Sequence, residues 1–350
     1  MTEPSGASPA TFALPSLEEM KAAAEIVYRT VAPTPQINWP LLSARIGADI
    51  WVKHENHSPL GAFKVRGGLV YMEELRRREP ALNGVIAATR GNHGQSVAFA
   101  AQRVGLRSVI VVPHGNSGEK NAAMRALGAD LVEFGDDFQE AYEHAASLAD
   151  KQQLHLVPSF DSLLVSGVAS YALELFRAVS DLDAVYVPIG LGSGICGCIA
   201  VRDALGLKTE IIGVVAASAP TYLLSLAARS VVPAPVRPTI ADGMACRKAD
   251  SLAVRVISAG VSRVVAVEES DIREAMRCLF SDTHNTAEGA GAAALAGLFK
   301  DAGQMRGRRV AVVLSGGNVD SQTFGEVLLE KRSQPASCIY NSDIGSGSSA

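Results

Sequence analysis

The chain of 350 residues lacks an excess of charge of either sign: 32 Lys and Arg stand against 36 Asp and Glu, a net charge of -4. Without a basic stripe, neither nucleic acid nor an anionic membrane is an expected partner. No apolar run reaches the length of a membrane span. Cysteine is scarce and odd in number, at Cys196, Cys198, Cys246, Cys278 and Cys338, with no metal-type pairing. That pattern argues against a disulfide framework and points to reduced thiols in the cytoplasm. The first 15 residues lack the basic-then-apolar pattern of a signal peptide and read as a small, mobile leader. The end of the chain, Gly345-Ser346-Gly347-Ser348-Ser349-Ala350, is low in complexity, and residues 336–350 are expected to form a disordered tail.

What is there is an ordinary globular composition, 48% hydrophobic and 19% charged, long enough for one large or two intimate domains. Short apolar runs at 85–89, 108–113, 130–134, 154–157, 184–188, 210–215, 263–267 and 309–314 alternate with alanine-rich helical stretches such as 96–104, 119–127, 138–152 and 198–205. Strands apolar throughout and separated by helices indicate an α/β fold with parallel sheet covered on both faces. Ligands of such sheets sit beyond the carboxyl ends of the strands. Three strand ends carry clusters of small polar residues: Thr89-Arg90-Gly91-Asn92-His93-Gly94, then Gly190-Leu191-Gly192-Ser193-Gly194, then Ser315-Gly316-Gly317-Asn318. Packing alone does not call for such clusters, and they imply one shared pocket.

A fourth segment supplies a reactive group. Lys64 lies in Pro59-Leu60-Gly61-Ala62-Phe63-Lys64-Val65-Arg66-Gly67-Gly68, beside an aromatic ring and among glycines. A desolvated lysine loses its proton more readily, and only the neutral amine attacks a carbonyl. The bland alternative is a surface lysine with its stem packed down. Residues 190–194 lead from a strand into a helix, where turned amides and the helix N-terminus favour a phosphate. Gly192, Gly194 and Gly197 also satisfy a G-x-G-x-x-G pattern, but the following strand ends in Ala216-Ala217 without the acid a dinucleotide ribose requires. Asn92 suits a phenolate oxygen, or else caps a helix. Ser315 suits a ring nitrogen, or else makes a turn. An amine, a phosphate cradle, an amide for a phenolate and a hydroxyl for a pyridine nitrogen together describe pyridoxal 5'-phosphate.

With these residues the chain resembles the fold-type II pyridoxal-phosphate enzymes, and within them the serine/threonine dehydratase group (the tryptophan synthase beta-like superfamily). The likeness spans roughly residues 26–329. It rests on the segment from Glu55 through Lys64 to Gly67, on Gly91-Asn92-His93-Gly94-Gln95, on residues 190–194, on Glu288-Gly289-Ala290-Gly291-Ala292-Ala293-Ala294-Leu295-Ala296 and on Ser315-Gly316-Gly317-Asn318. The resemblance implies two open, mostly parallel twisted sheets with flanking helices. It implies a small mobile domain at 81–159 inserted in a large cofactor-binding domain formed by 1–80 and 160–335. It implies that Lys64 carries the cofactor's aldehyde with Phe63 beside it, that Asn92 binds the ring oxygen, and that Gly190, Leu191, Gly192, Ser193 and Gly194 take the phosphate. Ser315 would meet the pyridine nitrogen, while Thr89, Arg90, Gly91, Asn92 and His93 would receive the substrate carboxylate. A homodimer is usual in the group.

A hydroxyl opposite the pyridine nitrogen does not hold a positive charge there, which favours prompt departure of a β-substituent over a long-lived Cα carbanion. The expected reaction is loss of water from a β-hydroxy-α-amino acid of the threonine or serine type, with phenylserine and 3-hydroxyaspartate as further candidates, giving a 2-oxo acid and ammonia. Lys64 is the implied base for the Cα proton. Three departures from the family pattern bear on this. Racemases of the group carry a second acid–base serine where this chain has Arg90, a poor proton donor; Arg90 either steers or binds an acidic substrate, or turns to solvent or pairs with a structural carboxylate. Relatives with a divalent cation place acids where this chain has Val215 and Thr221, so no metal is expected. Ala62, Leu191 and Ser193 replace a usual serine and two glycines. The chain also ends before the regulatory domain of biosynthetic threonine deaminases would begin, so feedback by an amino acid is not expected.

Glu288 opens a helix and is read equally as a cofactor neighbour or as a favourable charge at a helix start. Asp282 and His284 are weaker candidates, and His57 and His114 are expected to be structural. The competing functions are an amino-acid racemase or a β-replacing synthase on the same fold, a nicotinamide-dependent oxidoreductase using residues 192–197, and a binding protein without turnover. The synthase reading lacks its usual Thr-Ser-Gly-Asn-Thr turn.

Overall fold

The alternation of apolar runs with alanine-rich segments resolves into two sheets, described here for residues 14–330 of a computed structural model. The leader, the C-terminal tail and Cys338 fall wholly or mostly outside those residues. In chain order the strands are β1 (Gln36–Asn38), β2 (Asp49–His54), β3 (Gly84–Ala88), β4 (Arg107–Val112), β5 (Asp130–Glu133), β6 (His155–Leu156), β7 (Ala184–Pro188), β8 (Glu210–Ala216), β9 (Arg263–Val267) and β10 (Arg309–Leu314). The larger sheet runs β1-β2-β10-β7-β8-β9 and the smaller β5-β4-β3-β6. Every neighbouring pair is parallel except β1 with β2. All eight strands expected from apolar runs are present, with boundaries displaced by two residues at most.

The two strands not anticipated are β1 and β2. The reason is chemical: β2 reads Asp-Ile-Trp-Val-Lys-His, yet Lys53 within it is completely buried. Its ammonium bonds the Thr34 carbonyl at 2.8 Å and the Glu174 carboxylate at 2.5 Å. A lysine hidden by a partner far along the chain masks the apolar signature by which a central strand is recognised.

Helices cover both sheets. The helix Gly289–Lys300 is buried along nearly all its length, and its small residues let it lie close to the strands. A Cβ on Gly297 would fall 2.6 Å from a Val214 methyl, and one on Gly291 would fall 2.1 Å from the Gly316 carbonyl. The glycine- and alanine-rich sequence is thus a close-approach surface that draws the loop after β10 inward. On the opposite side, the helix Lys64–Arg78 crosses the helix Ser162–Ala178 at Gly67 and Gly167, where an added Cβ would meet backbone oxygen at 2.7 and 2.4 Å.

Beside that crossing lies a buried charge network. The Arg66 guanidinium bonds Glu55 at 2.7 Å and Glu174 at 2.6 Å, and Lys53 completes it. Burial opposes the charge on Arg66, but the two carboxylates hold its pKa above its ordinary value. The network pins the first turn of the Lys64 helix to β2 and to the helix Ser162–Ala178.

Candidate active site

The loops after β3 and β7 meet at a cavity of about 590 Å³, and the loop after β10 does not line it but reaches it through Asn318, which bonds Asn92. Lys64, Thr89, Arg90, Gly91, Asn92, His93, Gly190 and Leu191 line it. Phe63, Gly192, Ser193, Gly194, Glu288 and Ser315 are not wall residues. They stand behind the wall and are joined to it by specific contacts.

Phe63 makes several of those contacts. Its N–H donates to the Ser315 carbonyl at 3.0 Å, and Ala62 pairs with Gly316 in a short antiparallel bridge. Its ring meets Tyr171 edge-on with centroids 6.2 Å apart, and a Cβ on Gly194 would lie 3.7 Å from the same ring. The lysine segment, the glycine loop and the end of β10 therefore share one packing centre. Lys64 begins its helix, with Nζ 5.2 Å from the Phe63 ring centroid.

The turn after β3 forms differently from an asparagine-capped helix. Thr89, the first residue past the strand, accepts hydrogen bonds on its hydroxyl from the N–H groups of Gly91 at 3.0 Å and Gly94 at 3.3 Å. That satisfies the helix start four residues before the expected position 96, so Asn92 and His93 fall in the first turn of the helix Asn92–Arg103. Asn92 is free to use its side chain elsewhere. Asn318 donates to the Leu60 carbonyl at 2.7 Å and to Asn92 Oδ1 at 2.8 Å. Because Asn92 Oδ1 is the acceptor there, its amino group points to Glu288 Oε1, 2.7 Å away. The orientation of the Asn92 amide is thus fixed by a backbone carbonyl two bonds upstream, and one amide hydrogen remains for a ligand.

Glu288 precedes the helix Gly289–Lys300 but does not cap it with its side chain. Its Oε2 is buried without a hydrogen-bond partner, as is Nε2 of His93. Burial pushes the Glu288 carboxyl above the ordinary carboxylate range; Lys120 opposes that effect and Asp242 adds to it. Burial lowers Lys64 to about 8, with Glu288 pulling the other way. Burial, then repulsion by Lys64, lowers His93 to about 3 and keeps its ring neutral.

Residues 190–194 form a turn into the helix Ser193–Ala204, five residues before the expected helix start. Gly192 takes φ of 101°, a left-handed conformation suited to glycine. The first N–H groups of that helix have no intrahelical partners. A Cβ on Gly190 would lie 2.4 Å from the Gly243 carbonyl, so the loop tolerates no side chain there. Tyr171 and Tyr222 brace it by donating to the Gly194 carbonyl at 2.9 Å and the Leu191 carbonyl at 2.7 Å. Ser315 is buried, and its hydroxyl has only the Ala290 carbonyl at 3.4 Å, a long contact that leaves it available.

Arg90 is exposed on the cavity wall. Asp282 pairs with Arg45 at 2.8 Å, and His57 bonds Asn285 at 2.7 Å, both structural. Sequence reasoning missed Lys120, Asp242 and the bridging role of Asn318. The Asp242 segment, residues 236–248, lines the cavity opposite Lys64, but it has no strand-end motif to announce it.

A half-buried amine of lowered pKa, free helix-start amides on a glycine-rich turn, an available hydroxyl and an oriented amide fit pyridoxal phosphate. Lys64 would hold its aldehyde, residues 190–194 its phosphate, Asn92 its ring oxygen and Ser315 its ring nitrogen.

Comparison with known proteins agrees with this cofactor. Residues 27–316 match the family described as pyridoxal-phosphate dependent enzymes. The chain is 32% identical to the L-threonine ammonia-lyase of Thermotoga maritima over 89% of this chain and 78% of that protein. It is 35% identical to the biosynthetic L-threonine dehydratase of Salmonella typhimurium over 84% of this chain, but spans only 58% of that longer protein. In structure it is similar to the processed form of threonine deaminase isoform 2 from Solanum lycopersicum, with a TM-score of 0.83, 30% identity, and coverage of 90% of this chain and 94% of that one.

Proposed function

The chain belongs to the pyridoxal-phosphate dependent enzymes, and from that premise we propose that it is an ammonia-lyase of the threonine dehydratase type. It takes a β-hydroxy-α-amino acid, threonine first, to a 2-oxo acid and ammonia. The observation that carries this reading is the position of Lys64: a lysine amine of lowered pKa on the wall of the same cavity as the Thr89–His93 turn and the glycine loop.

When bound, pyridoxal phosphate supplies an electron-withdrawing ring that acidifies the Cα–H of an attached amino acid. The chain's own groups do the rest. Lys64, about 8 in pKa, exchanges a proton near neutral pH, as a base for the Cα proton should. Asn92 and His93 line the cavity, and their N–H groups, without intrahelical partners at the start of the helix Asn92–Arg103, suit the substrate carboxylate. His93, neutral at physiological pH, orients without adding charge. Ser315 offers a hydroxyl that cannot carry a negative charge, so nothing there stabilises a protonated ring nitrogen. The product carries the carbon skeleton less the amino nitrogen: the water lost in elimination returns when the enamine product is hydrolysed.

The small sheet draws all its strands from residues 84–156, which supports a separate unit at 81–159 that closes over the substrate. No helix among the described residues is long and apolar enough to cross a membrane. A cytoplasmic location and a homodimer complete the proposal.

The test is an absorption spectrum of the purified protein alongside assays of 2-oxo acid release from threonine, serine and their bulkier or acidic relatives. A visible band at ~410–420 nm, lost in Lys64→Ala, together with 2-oxo acid and ammonia from one of them, is expected. A colourless protein that does not take up the cofactor would sink the reading.

A further inference from the structure

Lys120 is a charged side chain that the proposed reaction does not use. It sits on the helix Gly118–Ala126, which follows β4 of the small sheet. Only 8% of its surface is exposed, and its ammonium reaches across the cavity to the other half of the fold. There Nζ lies 2.6 Å from Asp242 Oδ2 and 3.9 Å from Glu288 Oε2. Glu288 Oε2 is the oxygen that is buried with no hydrogen-bond partner. The path is tight: a Cβ on Gly91 would lie 3.0 Å from Lys120 Cδ, so the glycine of the Arg90-Gly91-Asn92 turn makes room for the lysine stem.

We propose that Lys120 is a positioning residue that keeps Glu288 ionised, and through Glu288 holds the Asn92 amide toward the cavity. A buried carboxylate is costly without a compensating charge. Around Glu288 the facing groups are Lys120, Asp242 and Lys64, together with the Asn92 amide. Of the two cations, Lys64 is the one that must give up its charge to react. Lys120 has no such duty, and Asp242 anchors it. While Glu288 stays anionic, Oε1 is a strong acceptor for Asn92. Once protonated, it is a weaker one, and the chain Leu60–Asn318–Asn92–Glu288 loses its terminal anchor. Burial works against the charge of Lys120, yet Glu288 and Asp242 hold its pKa above its ordinary value, consistent with a permanently charged strut.

The consequence for turnover rests on the proposed reaction; the charge coupling does not, and the two are measured separately. The protonated-carboxyl stretch of Glu288 is followed by infrared difference spectroscopy as the substrate-free holoenzyme is titrated, with Glu288→Gln identifying the band. Lys120→Met should move its midpoint up by about one pH unit or more, the effect of removing an opposite charge at this range, and Lys120→Arg should restore it. In turnover, Lys120→Met should shift the acid limb of the kcat/KM profile to higher pH, costing about tenfold for each unit of displacement at pH values well below the midpoint. An unmoved midpoint in Lys120→Met overturns the inference. Should that variant fail to fold, Lys120→Gln serves in its place, and an unmoved midpoint there overturns the inference equally.

Discussion

The backbone N–H of Phe63 donates to the carbonyl of Ser315 at 3.0 Å. That bond ties the residue beside the reactive lysine to the hydroxyl residue at the end of β10. It explains why the Lys64 segment and the Ser315 turn carry glycines: Gly61, with φ of 65°, and Gly316 let two irregular loops run side by side. A Cβ on Gly316 would fall 2.5 Å from Glu288 Oε1, so the same glycine also admits the carboxylate.

Uptake of cofactor by the apoprotein should follow the ionisation of Lys64. The amine attacks only when neutral, and burial sets its pKa at about 8. The rate of pyridoxal phosphate attachment should therefore rise with pH, roughly tenfold from pH 6 to 7, and level off above about 8. Stopped-flow absorbance measures it. A rate still climbing at pH 10 would mean that the lysine is not desolvated.

Adding a methyl group at Gly190 should weaken cofactor binding rather than the fold. Its Cβ would meet the Gly243 carbonyl at 2.4 Å, forcing the turn before the helix Ser193–Ala204 out of place. Gly190→Ala should raise the dissociation constant for pyridoxal phosphate by roughly tenfold, equivalent to about 1.4 kcal/mol. Equilibrium dialysis of the apoprotein reads this directly, and unchanged affinity would remove residues 190–194 from the phosphate site.

Arg66→Met should destabilise the protein by about 3–5 kcal/mol, because it leaves Glu55 and Glu174 buried without their main countercharge. Denaturant unfolding of the apoprotein gives the value. Replacing Arg66, Glu55, Glu174 and Lys53 together by apolar residues of similar volume should recover much of the loss, which a simple cavity would not.

Asn318→Ala should lower kcat with less effect on stability. It removes the donor that fixes Asn92 Oδ1 at 2.8 Å and frees the Asn92 amide to turn over. About 0.5–1.5 kcal/mol of stability is expected to go with the bonds, while turnover should fall by roughly tenfold or more, as misorientation of a binding group does. Steady-state kinetics with thermal unfolding separates the two effects; equal losses of both would make Asn318 a packing residue.

Strand positions such as 184–188 and 85–89 were legible in the sequence because central parallel strands are apolar on both faces, a signal local to five residues. So was the meeting of the turns that carry Asn92 and Asn318, because small residues at strand ends need a reason to be there. Boundaries at the turns were not: the Thr89 hydroxyl starts its helix early, and no periodicity records a capping bond. Nor was β2, whose Lys53 is neutralised by Glu174 from a distant helix. The surroundings of Glu288 were left undecided by its sequence context and are set by Asn92, which is 196 positions away, and by Lys120 from the helix Gly118–Ala126. Local physics, the hydrophobic period and the conformational demands of glycine, is written along the chain. The charge on a buried group depends on what the fold brings within a few ångströms of it, and only the tertiary structure decides that.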